Sequence, residues 1–126
     1  MLFEVPKVDI KRVPIATLAY LGDSVMELFY RVHFLGSYKV GVISSRVKSI
    51  TSRNGQAKLL ERVWEDLSEE ERDVVKRAMN SKSAKRYGND PLYRKSTGFE
   101  ALIGYLYISG RERRIMDILM TKVERS

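Results

Sequence analysis

The sequence predicts an all-α fold. Three observations carry this: apolar residues recur at helical spacing over long segments, several of those segments open on helix-start signals, and no stretch alternates apolar and polar residues as a half-buried strand does. The chain has 126 residues, enough for one domain with its own core and few for two. Its 44% hydrophobic and 31% charged residues set it apart from disordered chains.

A first helix is expected from Pro14 to Leu35. Proline suits the first helical turn, where its missing N–H costs nothing, and Gly36 ends the segment. On a helical wheel Leu18, Leu21, Val25, Leu28, Phe29 and Val32 form one apolar face, and Ala16, Ala19, Tyr20, Met26, Tyr30 and Phe34 form a second across from it. Only Thr17, Ser24 and Arg31 make a polar stripe, so this helix is expected at the centre of the fold, packed on several sides. Val40–Ser52 and Gly55–Leu67 read as two further helices divided at the turn signal Asn54-Gly55. Ser68-Glu69-Glu70-Glu71 has the capping-box pattern and opens a helix to about Met79. Asn80 through Ser96 holds Gly88, Asn89 and Pro91 without clean periodicity and reads as the main loop. Thr97–Gly110 is a nearly all-apolar helix, and Glu112–Arg125 an amphipathic one with Ile115, Ile118, Leu119 and Val123 facing inward. With no repeat and no linker, residues 1–126 are expected to form a single domain.

Composition removes whole classes of chemistry. The absence of cysteine excludes disulfides, thiolate metal sites and cysteine nucleophiles. The only histidine, His33, would have to do everything in a histidine cage or triad, so it reads as a packing or surface residue, and any metal must be held by oxygen. The net charge of +7 is unevenly spread: residues 36–63 carry 6 basic against 1 acidic, 64–73 carry 1 against 6, and 74–99 carry 7 against 1. Two basic segments around an acidic one point to a polyanionic partner, nucleic acid ahead of an anionic membrane. The first ten residues lack the apolar run of a secretory signal, and Val13–Gly22 and Ala101–Gly110, the longest uncharged stretches, are about half a bilayer span. A cytoplasmic protein with no membrane partner is expected.

The acidic residues inside the two most apolar helices stand out. Asp23 lies midway along the first, with Glu27 one turn later. A buried lone carboxylate must be paired, hydrogen-bonded, metal-bound or protonated. Its neighbours Ala19, Gly22 and Ser24 are small enough to admit a backbone, an ion or a ligand, while an arginine from another helix would satisfy it equally well. Glu100 has Gly104 and Tyr107 on its side, yet Thr97-Gly98-Phe99-Glu100 also fits a capping box in which Glu100 bonds the helix start. Two carboxylates on two apolar helices, each beside a glycine, point to a shared acidic pocket where the helices approach closely. Glu27 either orients a water there or pairs with Arg31 one turn on.

Leu18-Ala19-Tyr20-Leu21-Gly22-Asp23-Ser24-Val25 resembles the signature helix of the ribonuclease III family, and Phe99-Glu100-Ala101-Leu102-Ile103-Gly104-Tyr105-Leu106-Tyr107 resembles its second acidic motif, about 77 residues later. The whole chain, including Asn80-Ser81-Lys82-Ser83 and Tyr93-Arg94-Lys95-Ser96-Thr97, resembles Mini-ribonuclease III, the branch that consists of the nuclease domain alone. Two family carboxylates are absent, their places held by Ala19 and Thr97. The resemblance implies the ribonuclease III endonuclease-domain helical fold and hydrolysis of double-stranded RNA, with Asp23 and Glu100 as catalytic residues holding Mg²⁺, or Mn²⁺ in its place, and Glu27 in a supporting position. A catalytically inactive domain that binds structured ribosomal RNA is the alternative. It further implies a homodimer maturing large-subunit ribosomal RNA precursors, without the separate RNA-binding domain of longer relatives and with a ribosomal protein as a possible helper. Arg77, Asn80, Lys82, Lys85, Arg86, Arg94 and Lys95, interleaved with tyrosines, are the expected RNA contacts, suited to phosphates and sugars more than to base edges.

Overall fold

The computed structural model describes residues 3–125, with side chains described through Thr121. Every regular element among them is helical: α1 (Ile15–His33), α2 (Val40–Thr51), α3 (Arg53–Val63), α4 (Glu69–Met79), α5 (Pro91–Ile108) and α6 (Glu112–Arg125), with short 3₁₀ turns at Ile10–Arg12, Leu35–Ser37 and Trp64–Asp66. None is long and apolar enough to cross a membrane.

The helix at the centre is α5, not α1. It packs against α1, α3 and α4, and from Ser96 to Leu106 nearly every residue is buried. One large core unites Met26 and Tyr30 of α1 with Val47, Leu59, Phe99, Leu102, Ile103 and Leu106, closed by Ile115, Ile118 and Leu119 of α6. Tyr30 Oη donates to the Leu119 carbonyl at 2.7 Å, which satisfies the one polar atom of a fully buried ring. Val123, the fourth residue expected on the inner face of α6, lies outside the described side chains. The expectation that α1 is enclosed on several sides is corrected: Leu28 is 47% exposed and Val32 60% exposed on one apolar face and Tyr20 81% exposed on the other, so part of each stays at the surface.

Local signals set most boundaries. The Ser68 capping box is formed, its hydroxyl accepting from Glu71 N at 3.1 Å while the Glu71 carboxylate accepts from Ser68 N at 2.8 Å. The α2–α3 break falls at Ser52 rather than at Asn54-Gly55. Ser52 Oγ caps α3 by accepting from Gly55 N at 3.1 Å, and Asn54-Gly55 lies within the first turn of α3. The main loop is shorter than expected and ends at Asp90. There Asp90 caps α5 through the Leu92 N–H at 3.0 Å and Pro91 occupies the first helical position. Thr97 is consequently inside α5 rather than at its expected start, and the alternative reading of Thr97–Glu100 as a capping box does not hold.

Candidate active site

α1 and α5 meet through two glycines. A methyl group on Gly22 would stand 1.8 Å from the Glu100 carbonyl oxygen, and one on Gly104 would stand 1.9 Å from the Leu18 carbonyl oxygen. Any other residue at either position would force the two backbones apart. This reciprocal contact is the close approach expected from the sequence, and it sets Asp23, the residue after Gly22, beside Glu100.

The two carboxyl groups differ in surroundings. Asp23 is exposed, which corrects the expectation of a buried carboxylate, whereas Glu100 is partly buried. Burial first, and then the negative charge of Asp23, push the Glu100 carboxyl up to about 8, against the opposing pull of a hydrogen bond from Gln56. Gln56 Nε2 stands 3.4 Å from Glu100 Oε2. A cation between two facing carboxylates would relieve both their repulsion and the desolvation of Glu100. The donors are oxygens only, and the described residues contain no cluster of three or more Asp, Glu, His or Cys able to hold a metal. Two carboxylates, with waters and substrate oxygens filling the other positions, fit Mg²⁺ better than a metal that needs a complete protein cage.

Glu27 is turned to Arg31, 3.4 Å away, one helical turn on. Exposed His33 stacks against Phe29 and meets Phe34 edge-on. Ala19 and Thr97 are both buried, so the places of the absent carboxylates are filled by packing.

The expected RNA contacts divide into two groups. Lys82, Lys85 and Arg86 sit exposed on the 80–90 loop, and their side chains make no hydrogen bond or ion pair among the described residues. The others are engaged within the chain. Arg94 Nε donates to the Met79 carbonyl at 2.8 Å and Arg94 Nη2 to Asn80 Oδ1 at 2.9 Å, which together close the C-terminus of α4. Lys95 pairs with Glu61 at 2.8 Å and Arg77 with Asp73 at 3.0 Å.

The loop itself is anchored by Arg53. Its guanidinium bonds Asp90 at 2.9 Å and lies over the rings of Tyr93 and Tyr87, 4.9 and 5.6 Å from their centroids. Arg53 stands among the less distinctive basic residues of the sequence. Gln56 carries a signal that sequence reading passes over: it is a polar residue on the inward stripe continued by Leu59, Leu60 and Val63.

The Ribonuclease III domain model matches residues 16–111, a span that takes in both acidic motifs. The chain is 40% identical over 112 residues to Mini-ribonuclease 3 of Kosmotoga olearia, covering 87% of this chain and 77% of that protein. It is 36% identical over 115 residues to Mini-ribonuclease 3 of Symbiobacterium thermophilum, covering 88% of each. A crystal structure of a Fusobacterium nucleatum protein superposes with a TM-score of 0.82 at 29% identity, over 94% of this chain and 98% of that one. With its helical architecture and the two acidic motifs joined across one glycine seam, the chain belongs to the ribonuclease III family, in the Mini-ribonuclease 3 branch.

Proposed function

We propose that Asp23 and Glu100 are the catalytic pair of a divalent-cation-dependent nuclease that cuts both strands of an RNA duplex. Family membership makes the chain an endoribonuclease of the ribonuclease III type, acting on double-stranded RNA. The observation that carries the reading of the pair is the placing of two carboxyl groups against each other at the glycine-tight α1–α5 seam, one open to solvent and one withdrawn from it.

Asp23 and Glu100 would hold Mg²⁺, or Mn²⁺ in its place. The ion, when bound, neutralises phosphate charge and makes a water nucleophilic at neutral pH. Asp23 stands where a phosphate can reach it, and Glu100 is fixed at its back by the packing of α5. Lys82, Lys85 and Arg86 supply unpaired positive charge for the duplex backbone, which recognises shape more than sequence. Arg77, Asn80, Arg94 and Lys95 act beside them, Arg94 and Asn80 closing the end of α4, Arg77 paired with Asp73 along α4 and Lys95 with Glu61 of α3.

A partly uncovered strip of α1, with Leu21, Val25, Leu28 and Val32 lining a groove shared with Met116 and Met120 of α6, supports a homodimer in which one site serves each strand. Residues 1–126 form one nuclease domain in this reading, and large-subunit (23S) ribosomal RNA precursors in the cytoplasm are its substrate, with or without a ribosomal protein as helper.

The test is to incubate the purified protein with duplex RNA, single-stranded RNA and duplex DNA, in Mg²⁺ or in chelator. Cuts are expected in duplex RNA alone, only with the ion, and are lost in Asp23→Asn and Glu100→Gln while RNA is still bound. Wild-type cutting by either variant overturns the assigned pair. Binding without cutting by the unaltered protein makes it an inactive RNA-binding member of the fold.

A further inference from the structure

The inward stripe of α3 runs through Leu59, Leu60 and Val63, and one turn earlier the same stripe holds Gln56, only 2% exposed. An amide at a depth that packing would fill with leucine is costly unless its polar atoms are bonded. Gln56 Nε2 lies 2.9 Å from the Thr51 carbonyl oxygen and 3.4 Å from Glu100 Oε2. A backbone carbonyl can only accept, so the atom beside Thr51 is the NH₂, and its two hydrogens serve the end of α2 and the Glu100 carboxylate. The other amide atom, Oε1, is buried without a partner. The donor side therefore explains the residue, because a side chain kept only to fill space would not strand an acceptor in the core.

The backbone under Gln56 has no freedom to drift. The preceding Gly55 would meet the Ile50 carbonyl oxygen at 2.4 Å and the Ser49 carbonyl oxygen at 2.6 Å if it carried a methyl, and its N–H is held by Ser52. The α2–α3 corner is thus clamped, and the amide projects from a fixed point toward the seam.

We propose that Gln56 is a positioning residue that tethers the Glu100 carboxylate to the α2–α3 corner and so sets how tightly the Asp23–Glu100 pair binds a divalent cation. The inference rests on the metal-binding reading of that pair. With Ala19 and Thr97 where longer relatives have acids, no neighbouring carboxylate network orients Glu100. A neutral donor does so without adding a third negative charge.

The experiment uses the full chain with Gln56→Leu and, separately, Gln56→Asn, whose side chain is one methylene too short to reach both partners. Mn²⁺ binding is measured by calorimetry, melting temperature without metal, and duplex-RNA cleavage against Mg²⁺ concentration. Gln56→Leu is expected to melt no lower than the unaltered protein, because the stranded oxygen goes with the donors. Its Mn²⁺ affinity should fall about tenfold. Cleavage should need correspondingly more Mg²⁺, with KM for RNA unchanged, and Gln56→Asn should fall between the two. Unchanged Mn²⁺ affinity and Mg²⁺ requirement in a folded variant overturn the role of Gln56 and leave the pair intact. Loss of folding in both variants makes Gln56 a structural residue and also overturns it. If the unaltered protein binds no Mn²⁺, or binds it equally well with Glu100→Gln, the reading of the pair fails and takes this inference with it.

Discussion

Glu71 and Glu100 are both withdrawn from solvent on helices, and the molecule treats them in opposite ways. Glu71, at the start of α4, accepts from the Ser68 N–H at 2.8 Å and from Arg114 Nε and Nη2, each at 2.8 Å. The guanidinium holds its carboxyl below the usual carboxylate range. Glu100, in the middle of α5, has a long bond from Gln56 and Asp23 against it, and burial first and then the Asp23 carboxylate push its carboxyl up. The first arrangement locks α4 to α6 and leaves the carboxylate no need of a further partner. The second leaves a carboxyl that ionises reluctantly beside a like charge, at a seam that opens to solvent, an arrangement that a bound cation would relieve and a structural joint avoids.

Substituting each glutamate tests that contrast most strongly. Glu100→Gln should lower duplex-RNA cleavage roughly a thousandfold, the effect of several kcal/mol of lost transition-state stabilisation, without lowering the melting temperature. A variant that melts early would place Glu100 with Glu71 as a structural residue. Glu71→Ala should do the reverse: unfolding in urea should show a loss of about 3 kcal/mol, from the ion pair and the capping box together, while cleavage per folded molecule stays near that of the unaltered protein.

Acid sharpens the same comparison. A carboxyl whose pKa is depressed in the folded state contributes stability that is complete above its ordinary value of 4.5 and is lost as the pH falls through the lower folded value. Melting temperatures of the unaltered protein should therefore drop below about pH 4.5 more steeply than those of Glu71→Gln, which lacks this titration. Parallel curves would mean that Arg114 does not hold the carboxylate in solution.

The smallest effects separate free from engaged cations. Lys82→Ala should leave the melting temperature alone and reduce the salt slope of RNA binding by about one unit. Arg94→Ala should cost about 1 kcal/mol of stability through the lost cap on α4. If Arg94→Ala changes the salt slope and not the stability, its bonds to Met79 and Asn80 give way to RNA.

Much of this was legible in the chain. Pro14 stands immediately before α1 and Gly36 three residues after it, Ser68-Glu71 announces α4, and the paired glycines beside Asp23 and Glu100 foretell the close seam. The start of α5 was legible as well, in Asp90-Pro91, a capping residue followed by proline, although Thr97–Glu100 offers a competing signal of the same kind. Nothing local ranks two valid caps. Packing does, because Ser96, Thr97 and Phe99 are buried as helix interior once α5 lies across α3 and α4.

The sequence by itself determined the helical class and most helix ends, since caps and periodicity act within a few residues of chain, and it singled out Asp23 and Glu100 as candidates. Only the tertiary structure decided that α5 rather than α1 occupies the centre, that Asp23 is open while Glu100 is withdrawn, that Asn80, Arg94 and Lys95 are engaged, and that Gln56 reaches Glu100. Periodicity shows that a helix has an apolar face but not what covers it, and burial and pairing belong to two elements at once, fixed only when both are in place.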